Sequence, residues 1–424
     1  MPVKAVGRTI FSWSLIIWIV AFLARATFVL VKTKTGLFRG SFYTTDSQVY
    51  DALAQSLIEH RGLAIDGRPT AVYPPVYPMF LAVCYWIFGK NFLLIGIIQS
   101  GLSALACVFA FKTAQKIFDD QTARLTGLIC ALMPDLIFWA SGSITTEALY
   151  TFLLTASVYF LVLLLPPHTK NVREAKSRSS IKLNSIIAGV LLGLSALTRP
   201  LILYFVLFAV LYLWLYVGFV RAMVVGSVFL IIVFPWAYRN QRTMGSMIFT
   251  STGGGVSLYH YHNPVTSGEN GGYTADLIPL NEAERAPEVE RDRLYRRAAI
   301  TYALQHPIHE LGLTFHRFWN MWRPGIERAP RPYHVIALLT YVPLMLFAIP
   351  TIFVLGFHQP RVGLLNLFLL YNFVFHLITV AELRYRIPLE PVLIIFGAVG
   401  IIRTVRLFQQ RQFGLLATKP RLKT

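Results

Sequence analysis

The sequence predicts an all-α polytopic membrane protein. Of its 424 residues, 55% are hydrophobic and 14% charged, and the mean hydropathy is +0.56. Soluble domains are usually about 25% charged. The basic residues behind the net charge of +19 fall in short clusters between long apolar stretches, not in one stripe. That arrangement argues against nucleic acid as a partner and for cations that hold loops on the cytoplasmic side of a bilayer.

A spanning helix needs about 20 apolar residues. Stretches of that kind are expected near 11–31, 92–114, 122–140, 147–165, 184–198, 201–219, 222–237, 334–355, 362–380 and 387–402, about ten in all. The first follows Lys4 and Arg8 and runs on without a small-residue cleavage site, so it reads as an anchor. With the N-terminus inside, every inner segment is basic: Lys112, Lys116 and Arg124; Lys170, Arg173, Lys176, Arg178 and Lys182; Arg221; Arg361; and a tail with Arg403, Arg406, Arg411, Lys419, Arg421 and Lys423. The acids gather outside: Asp46, Asp51, Glu59, Asp66, Glu269, Asp276, Glu282, Glu284, Glu288, Glu290 and Asp292. The expected division is an N-terminal membrane module over 1–240, which includes a first outer loop at 32–91, then an outer segment at 241–333 and C-terminal spans with a basic tail over 334–424. Both termini are expected in the cytoplasm, and the chain in a plasma (inner) membrane. Cys84, Cys107 and Cys130 sit in apolar stretches without metal spacing and read as small core residues.

The outer segments carry their own pattern. From Thr45 to His60, Val49, Tyr50, Leu53, Leu57 and Ile58 share one helical face, and Thr45 with Gln48 fits a capping box. The run 76–88 is apolar, too short to span, and bounded by Pro74, Pro75 and Gly89, which predicts a re-entrant or surface helix. Glycines and an Asn-Pro pair mark 251–273 as loop. A charged helix is expected over 287–305, with Leu294, Ala298, Tyr302 and Leu304 near one side, restarting after Pro307.

Asp46 admits two readings. A first-turn acid favours the helix dipole by about 0.3–1 kcal/mol; a carboxylate at the membrane surface can also serve as a general base. Glu147, at the mouth of a span behind Thr145 and Thr146, is either a solvated helix-start acid or a partner of Asp46 in one site or on one divalent cation. Arg199, between two apolar runs, is a snorkelling arginine or a phosphate clamp. Glu382, Arg384, Tyr385 and Arg386 break the positive-inside trend at an outer boundary, as an interfacial anchor or an anion site. Arg239 is a similar interfacial arginine. His260 and His262, two apart, would share one face of a strand and could bind metal there, but two histidines in a loop are more often unliganded. Gly253 to Gly255 lack the lysine and strand–helix setting of a phosphate loop and read as a flexible loop that approaches a ligand.

Taken in order, TTDSQVYDALAQSL, YPPVYPMFLAVCYWIFG, SITTEAL, ALTRP, GGGVSLYHYHNP, RDRLYRRAAITYALQHP and ELRYRIPLEP resemble the GT-C membrane glycosyltransferases. Within them the chain is most similar to the protein O-mannosyltransferase and lipid A aminoarabinose transferase family. The resemblance covers most of the chain. It implies a GT-C-like fold and inverting transfer of a sugar from a polyprenyl-phosphate carrier to a lipid, glycan or protein hydroxyl on the outer face. It implies Asp46 as base, and a substrate site drawn from Tyr50, Tyr73, Glu147, Arg199, Arg239, His260, Asn263, Glu382, Arg384, Tyr385 and Arg386. Many relatives carry Asp-Glu in the first loop, whereas Ser47 follows Asp46 here; Glu147 is the candidate second acid. No complete metal-ligand set is visible, and a divalent cation stays open as a cofactor, with Asp46, Glu147 and His260 as candidate ligands. A lipid-linked glycan ligase or polymerase, or a flippase, would use related chemistry. A secondary transporter would instead show repeats and midplane ionisable groups.

Overall fold

A computed structural model describes residues 3–35, 45–141, 144–167, 178–266, 281–325 and 331–417. Glu269, Asp276, Lys170, Arg173, Lys176 and the tail beyond 417 lie outside them, as do the side chains of Lys4, Arg8, Thr45, Arg178 and Arg411. The described chain is helical apart from connecting loops and one hairpin of two two-residue strands. In order it forms α1 (Val3–Thr35), α2 (Thr45–Ile58), β1 (Ala64–Ile65), β2 (Arg68–Pro69), α3 (Val76–Phe88), α4 (Phe92–Ile117), α5 (Asp120–Leu132), α6 (Pro134–Ser141), α7 (Glu147–Leu164), α8 (Arg178–Ala196), α9 (Ile202–Val217) and α10 (Phe219–Met244). The second half holds α11 (Gly254–Tyr261), α12 (Asn281–Arg285), α13 (Glu288–Gln305), α14 (Pro307–Trp322), α15 (Arg331–Leu355), α16 (Pro360–Ile378), α17 (Leu383–Arg386), a 3-10 turn and α18 (Glu390–Ala417).

Seven helices among the described residues are long and apolar enough to cross a membrane: α1, α4, α7, α10, α15, α16 and the stretch Leu383–Gln410. The chain is an integral membrane protein. The three other expected spans fall on shorter pieces. Ile181–Ala196 and Ile202–Val217 are apolar but brief. The stretch 122–140 is broken in two, because Pro134 has no N–H to give the carbonyl of Cys130.

That break is filled by α1. Arg25, fully buried, directs all five of its hydrogen bonds to neutral groups: Nη2 donates to the Cys130 carbonyl (3.0 Å) and the Cys107 sulfur (3.4 Å), Nη1 to the carbonyls of Ala131 (2.9 Å) and Ala21 (3.1 Å), and Nε to Ser103 Oγ (2.9 Å). The carbonyls freed at the end of α5 thus solvate a cation inside the bundle, where an unsatisfied one is costly. Helix approach elsewhere depends on small residues. A Cβ on Gly189 would lie 2.8 Å from the Val225 carbonyl, and one on Gly193 2.7 Å from Ile232, so α8 and α10 meet through a Gly-x-x-x-Gly face.

The ends of the bundle are distinct. At one end Arg361, at the start of α16, donates to the carbonyls of Leu165 and Lys116, which follow or close α7 and α4. Arg406 meets Asp119 there (2.9 Å). At the other end lie α2, α3, the hairpin and α11–α14. Here α2 and α3 are clamped by Asp51, whose oxygens accept from Tyr85 (2.8 Å) and Lys90 (2.6 Å). The first loop joins the later segment through the Thr252 N–H to the Ala71 carbonyl (2.9 Å).

Three local expectations are corrected. Residues 254–261 form a helix, not a strand or a loop, so His260 closes α11 and His262 lies just beyond it. Leu304 is exposed, and α13 instead buries Asp292, Tyr295 and Ala299 against α11. Gly255 is required by that contact. A Cβ there would lie 2.0 Å from the Asp292 carbonyl oxygen, and its N–H donates to Asp292 Oδ1 (2.5 Å). Gly255→Ala should therefore lower stability by about 1–3 kcal/mol, as overpacking does. Thermal unfolding in detergent reads this directly; an unchanged midpoint would show that the α11–α13 contact gives way freely.

Candidate active site

A cavity of about 640 Å³ lies at the end of the bundle that carries α2 and α11–α14. Asp46, Tyr50, Tyr73, Arg199, His260, Glu382, Arg384 and Tyr385 all line it. Residues 338 positions apart meet directly: Arg384 Nη1 donates to Asp46 Oδ2 at 2.7 Å. The Tyr73 hydroxyl donates to Asp46 Oδ1, also at 2.7 Å. Arg384 Nε donates to Glu382 Oε2 (2.6 Å), and the Tyr261 hydroxyl to Glu382 Oε1 (3.0 Å). The result is a chain from Tyr73 through Asp46, Arg384 and Glu382 to Tyr261. It links the start of α2 and the loop before α3 to the segment before α18 and to α11.

Local sequence explains the placement. Asp46 opens α2, whose inner face buries Ser47, Tyr50, Asp51, Leu53 and Ala54. The Tyr50 ring packs at 4.6 Å from Tyr73 and 4.9 Å from Tyr77, which fixes the helix start against α3. Ser47 is fully buried, so the position that departs from the family pattern holds a small hydroxyl inside the packing.

Arg199 follows α8. Its guanidinium pairs with Glu147, and Nε donates to Thr146 Oγ1 at 2.7 Å. It also lies over the rings of Tyr150 (5.6 Å) and Tyr385 (5.4 Å). Arg384 lies over the same Tyr385 ring at 5.4 Å. Two cations thus share one aromatic ring inside the cavity. Glu147 is fully buried and sits behind Arg199, outside the cavity wall.

Burial alone would raise the Asp46 carboxyl. The charge of Arg384, the hydrogen bonds from Tyr73 and Arg384, and the charge of Arg199 outweigh it and hold the carboxyl below its usual range. Asp46 is therefore ionised at neutral pH. A depressed carboxylate stabilises the fold above its unfolded value of about 3.9 and ceases to do so as pH falls through the lower folded value. The difference in melting temperature between the protein and its Asp46→Asn variant should be present at pH 7 and close below about pH 4. A difference that grows in acid would contradict the ion pair.

Besides Glu147, three of the residues expected in the site lie outside the cavity lining. Arg386, fully buried, turns away from the cavity: Nη2 donates to Asp135 (2.5 Å), Nε to Glu390 (3.1 Å) and Nη1 to the Arg323 carbonyl (2.9 Å), with the guanidinium 3.8 Å from the Tyr341 ring. Two residues beyond Arg384 on a helical turn, it faces the opposite way. Arg239 donates to the carbonyls of Thr70 (2.9 Å) and Leu63 (2.7 Å) and braces the hairpin from α10. Asn263 caps the end of α11, taking the N–H groups of Val265 and Thr266 and donating to the Tyr259 carbonyl. The metal candidates do not assemble: Asp46 and Glu147 each face an arginine, and His260 Nδ1 faces the Val256 carbonyl at 2.9 Å. Among the described residues no group of three or more His, Cys, Asp or Glu side chains is placed to hold a metal ion.

Other lining residues were passed over in the sequence. Glu288 accepts from the Ala71 N–H (2.9 Å) and the Thr252 hydroxyl (2.5 Å), tying α13 to the cavity rim. Tyr150, Asn372 and His376 line the inner wall. The signal for the last two was legible: Asn372 and His376 are polar residues four apart inside an apolar span, where such residues are expensive.

Residues 72–238 match the family model described as dolichyl-phosphate-mannose-protein mannosyltransferase. That range holds Tyr73, Glu147 and Arg199. No curated protein matches the chain. Among solved structures it is similar to ArnT from Cupriavidus metallidurans bound to undecaprenyl phosphate, with a TM-score of 0.52 and 14% identity over 97% of this chain and 63% of that one. It is similar also to the archaeal oligosaccharyltransferase AglB from Archaeoglobus fulgidus in complex with an inhibitory peptide and a dolichol-phosphate, with a TM-score of 0.53 and 14% identity over 97% of this chain and 52% of that one. The apo form of the Archaeoglobus fulgidus oligosaccharyltransferase gives 0.55 and 15%, over 97% and 53%. The chain thus spans between about half and two thirds of the length of these relatives. It has their GT-C fold, as its sequence resemblance to the membrane glycosyltransferases implies.

Proposed function

We propose that the chain is an inverting glycosyltransferase that moves a sugar from a polyprenyl-phosphate carrier to an acceptor hydroxyl on the extracytoplasmic face. The observation that carries this reading is one cavity in which an ionised carboxylate, Asp46, faces two guanidiniums, Arg199 and Arg384. Guanidinium matches a phosphate in geometry and charge. The lateral wall suits a lipid-linked donor. Tyr204 lines the cavity yet is 55% exposed, and the face it starts continues along α9 through Leu207, Phe208 and Leu211, all exposed. The family match over 72–238 favours the same donor class. The basic end of the bundle, with Lys116, Arg361 and Arg406, would face the cytoplasm, leaving the cavity outside.

In this reading Asp46 accepts the proton of the acceptor hydroxyl while the hydroxyl oxygen forms the new bond to the anomeric carbon. The bond from that carbon to the phosphate oxygen breaks, and its electron pair leaves with the carrier phosphate. Arg199 and Arg384 stabilise the charge gathering there. Phosphate leaves without a general acid, and one displacement inverts the anomeric centre. At rest Arg384 is held by Asp46; an incoming phosphate competes for the same guanidinium and so releases the base as the donor binds. The test is to supply reconstituted protein with polyprenyl-phosphate-linked sugars and measure free carrier phosphate and the anomeric configuration of the product. Carrier release with inversion is expected. Retention of configuration, or no release from any such donor, overturns the reading.

A further inference from the structure

Three buried polar atoms on the cavity wall take no partner from the protein: the hydroxyl of Tyr150, Oδ1 of Asn372 and Nε2 of His376. Their residues are 1%, 0% and 5% exposed. Buried polar atoms are nearly always satisfied, and leaving one bare is costly. The remaining atoms of two of these side chains fix what the bare ones are. Asn372 Nδ2 donates to the Phe368 carbonyl at 2.7 Å, which leaves Oδ1 as the free acceptor. His376 Nδ1 lies 2.6 Å from the Val380 carbonyl and must carry a proton, so in the neutral ring Nε2 is a second free acceptor. Asn372 and His376 stand four apart on α16, on one helical face.

We infer that Tyr150, Asn372 and His376 form a subsite for the hydroxyl groups of the donor sugar, separate from the arginines that would hold its phosphate. This rests on the glycosyltransferase reading. The complementarity separates the two zones. A phosphate presents only acceptors, and two bare acceptors repel it; a sugar presents hydroxyl donors, which satisfy both. Tyr150 can give or take a hydrogen bond according to the neighbouring hydroxyl. Position agrees with the chemistry. Tyr150 lies under Arg199 at 5.6 Å, Arg199 lies over Tyr385 at 5.4 Å, and Tyr385 stacks on His376 with centroids 5.2 Å apart and planes within 9°. The proposed phosphate clamp and the bare acceptors are thus neighbours, as a sugar and the phosphate it is bonded to must be. The three residues select the sugar; the guanidiniums recognise the carrier.

The experiment is binding of a short-chain polyprenyl phosphate, bare and bearing mannose, glucose or arabinose, to the full-length protein in detergent. The variants are Tyr150→Phe, Asn372→Leu and His376→Phe. The wild type should hold at least one glycosylated carrier about tenfold more tightly than the bare one. Each variant should lose most of that preference while binding bare carrier within about twofold of wild type, which also shows that it is folded. The inference is overturned if the preference survives all three substitutions, if the wild type has none, or if bare and glycosylated carriers weaken together. A wild type that binds bare carrier no better than the uncharged prenol overturns the glycosyltransferase reading itself, and the subsite with it.

Discussion

Asp46→Asn should lower the transfer rate by about 10²–10⁴, the usual contribution of a positioned general base. The substitution keeps the size of the side chain and the acceptor oxygen that takes the Tyr73 hydroxyl, so α2 stays in place. It removes the site that would receive the acceptor's proton. It also frees Arg384 from its carboxylate at 2.7 Å, leaving that cation with Glu382. Binding of bare polyprenyl phosphate should therefore hold or tighten while turnover collapses. That pairing is the informative result: a merely structural Asp46 would weaken both together. Full turnover by the variant would remove Asp46 from the chemistry.

Arg384 and Arg386 stand two residues apart and should fail in opposite ways. Arg386→Met leaves Asp135 and Glu390 buried without their shared cation, a loss that costs about 3–5 kcal/mol when one partner of a buried pair is removed. Arg386→Lys should rescue little, since Nε, Nη1 and Nη2 each hold a different acceptor. Arg384→Met should lower the melting temperature by far less than Arg386→Met, about as much as Asp46→Asn does at pH 7, because its partners Asp46 and Glu382 border the cavity and can be hydrated. It should lower transfer by about 10²–10³, the loss expected when one charge-stabilising donor is removed. Thermal unfolding and turnover, measured on both variants, separate the two roles. A stable Arg386→Met would show that the two carboxylates manage without the guanidinium.

Much of the frame was legible from period and punctuation. α2, α3 and α13 begin and end within two residues of where apolar spacing, Pro74–Pro75, Gly89 and Pro307 place them, and α14 starts at Pro307. Asp46, Arg199 and Arg384 could be singled out because charge at a span boundary is expensive enough to need a reason. What the sequence hid were questions of direction. Nothing in ELRYR says that Arg384 faces a cavity and Arg386 a buried pair of acids; that depends on the phase of one short turn, α17. Asp135 gives no signal of its own because its partner Arg386 is 251 residues away, and the pairing of Glu390 with Arg386, four residues earlier, depends on the phase of the same turn. The Tyr-His-Tyr-His run alternates like a strand, but Gly255 docks against Asp292 and the stretch winds up as a helix, a tertiary contact outweighing a two-residue period. Asn372 and His376 do little to the hydropathy of an otherwise apolar span, so only their polarity at a spacing of four marks them.

The contact between Arg25 and the broken end of α5 bears on assembly in the membrane. α1 precedes α5 in the chain, and chains emerge N-terminal part first. When α1 enters the bilayer, Ala131 and Cys130, whose carbonyls later take its guanidinium, are still to be made. Until then the cation must keep water, a lipid headgroup or the insertion machinery as its company. Release of α1 into the hydrocarbon should therefore be favoured by the arrival of α4, which brings Ser103 and Cys107, and of α5. A side chain that does not line the cavity would in this way bear on biogenesis. Arg25→Leu should let α1 partition early and alone, while the α5 carbonyls lose the only charged donor seen on them among the described residues.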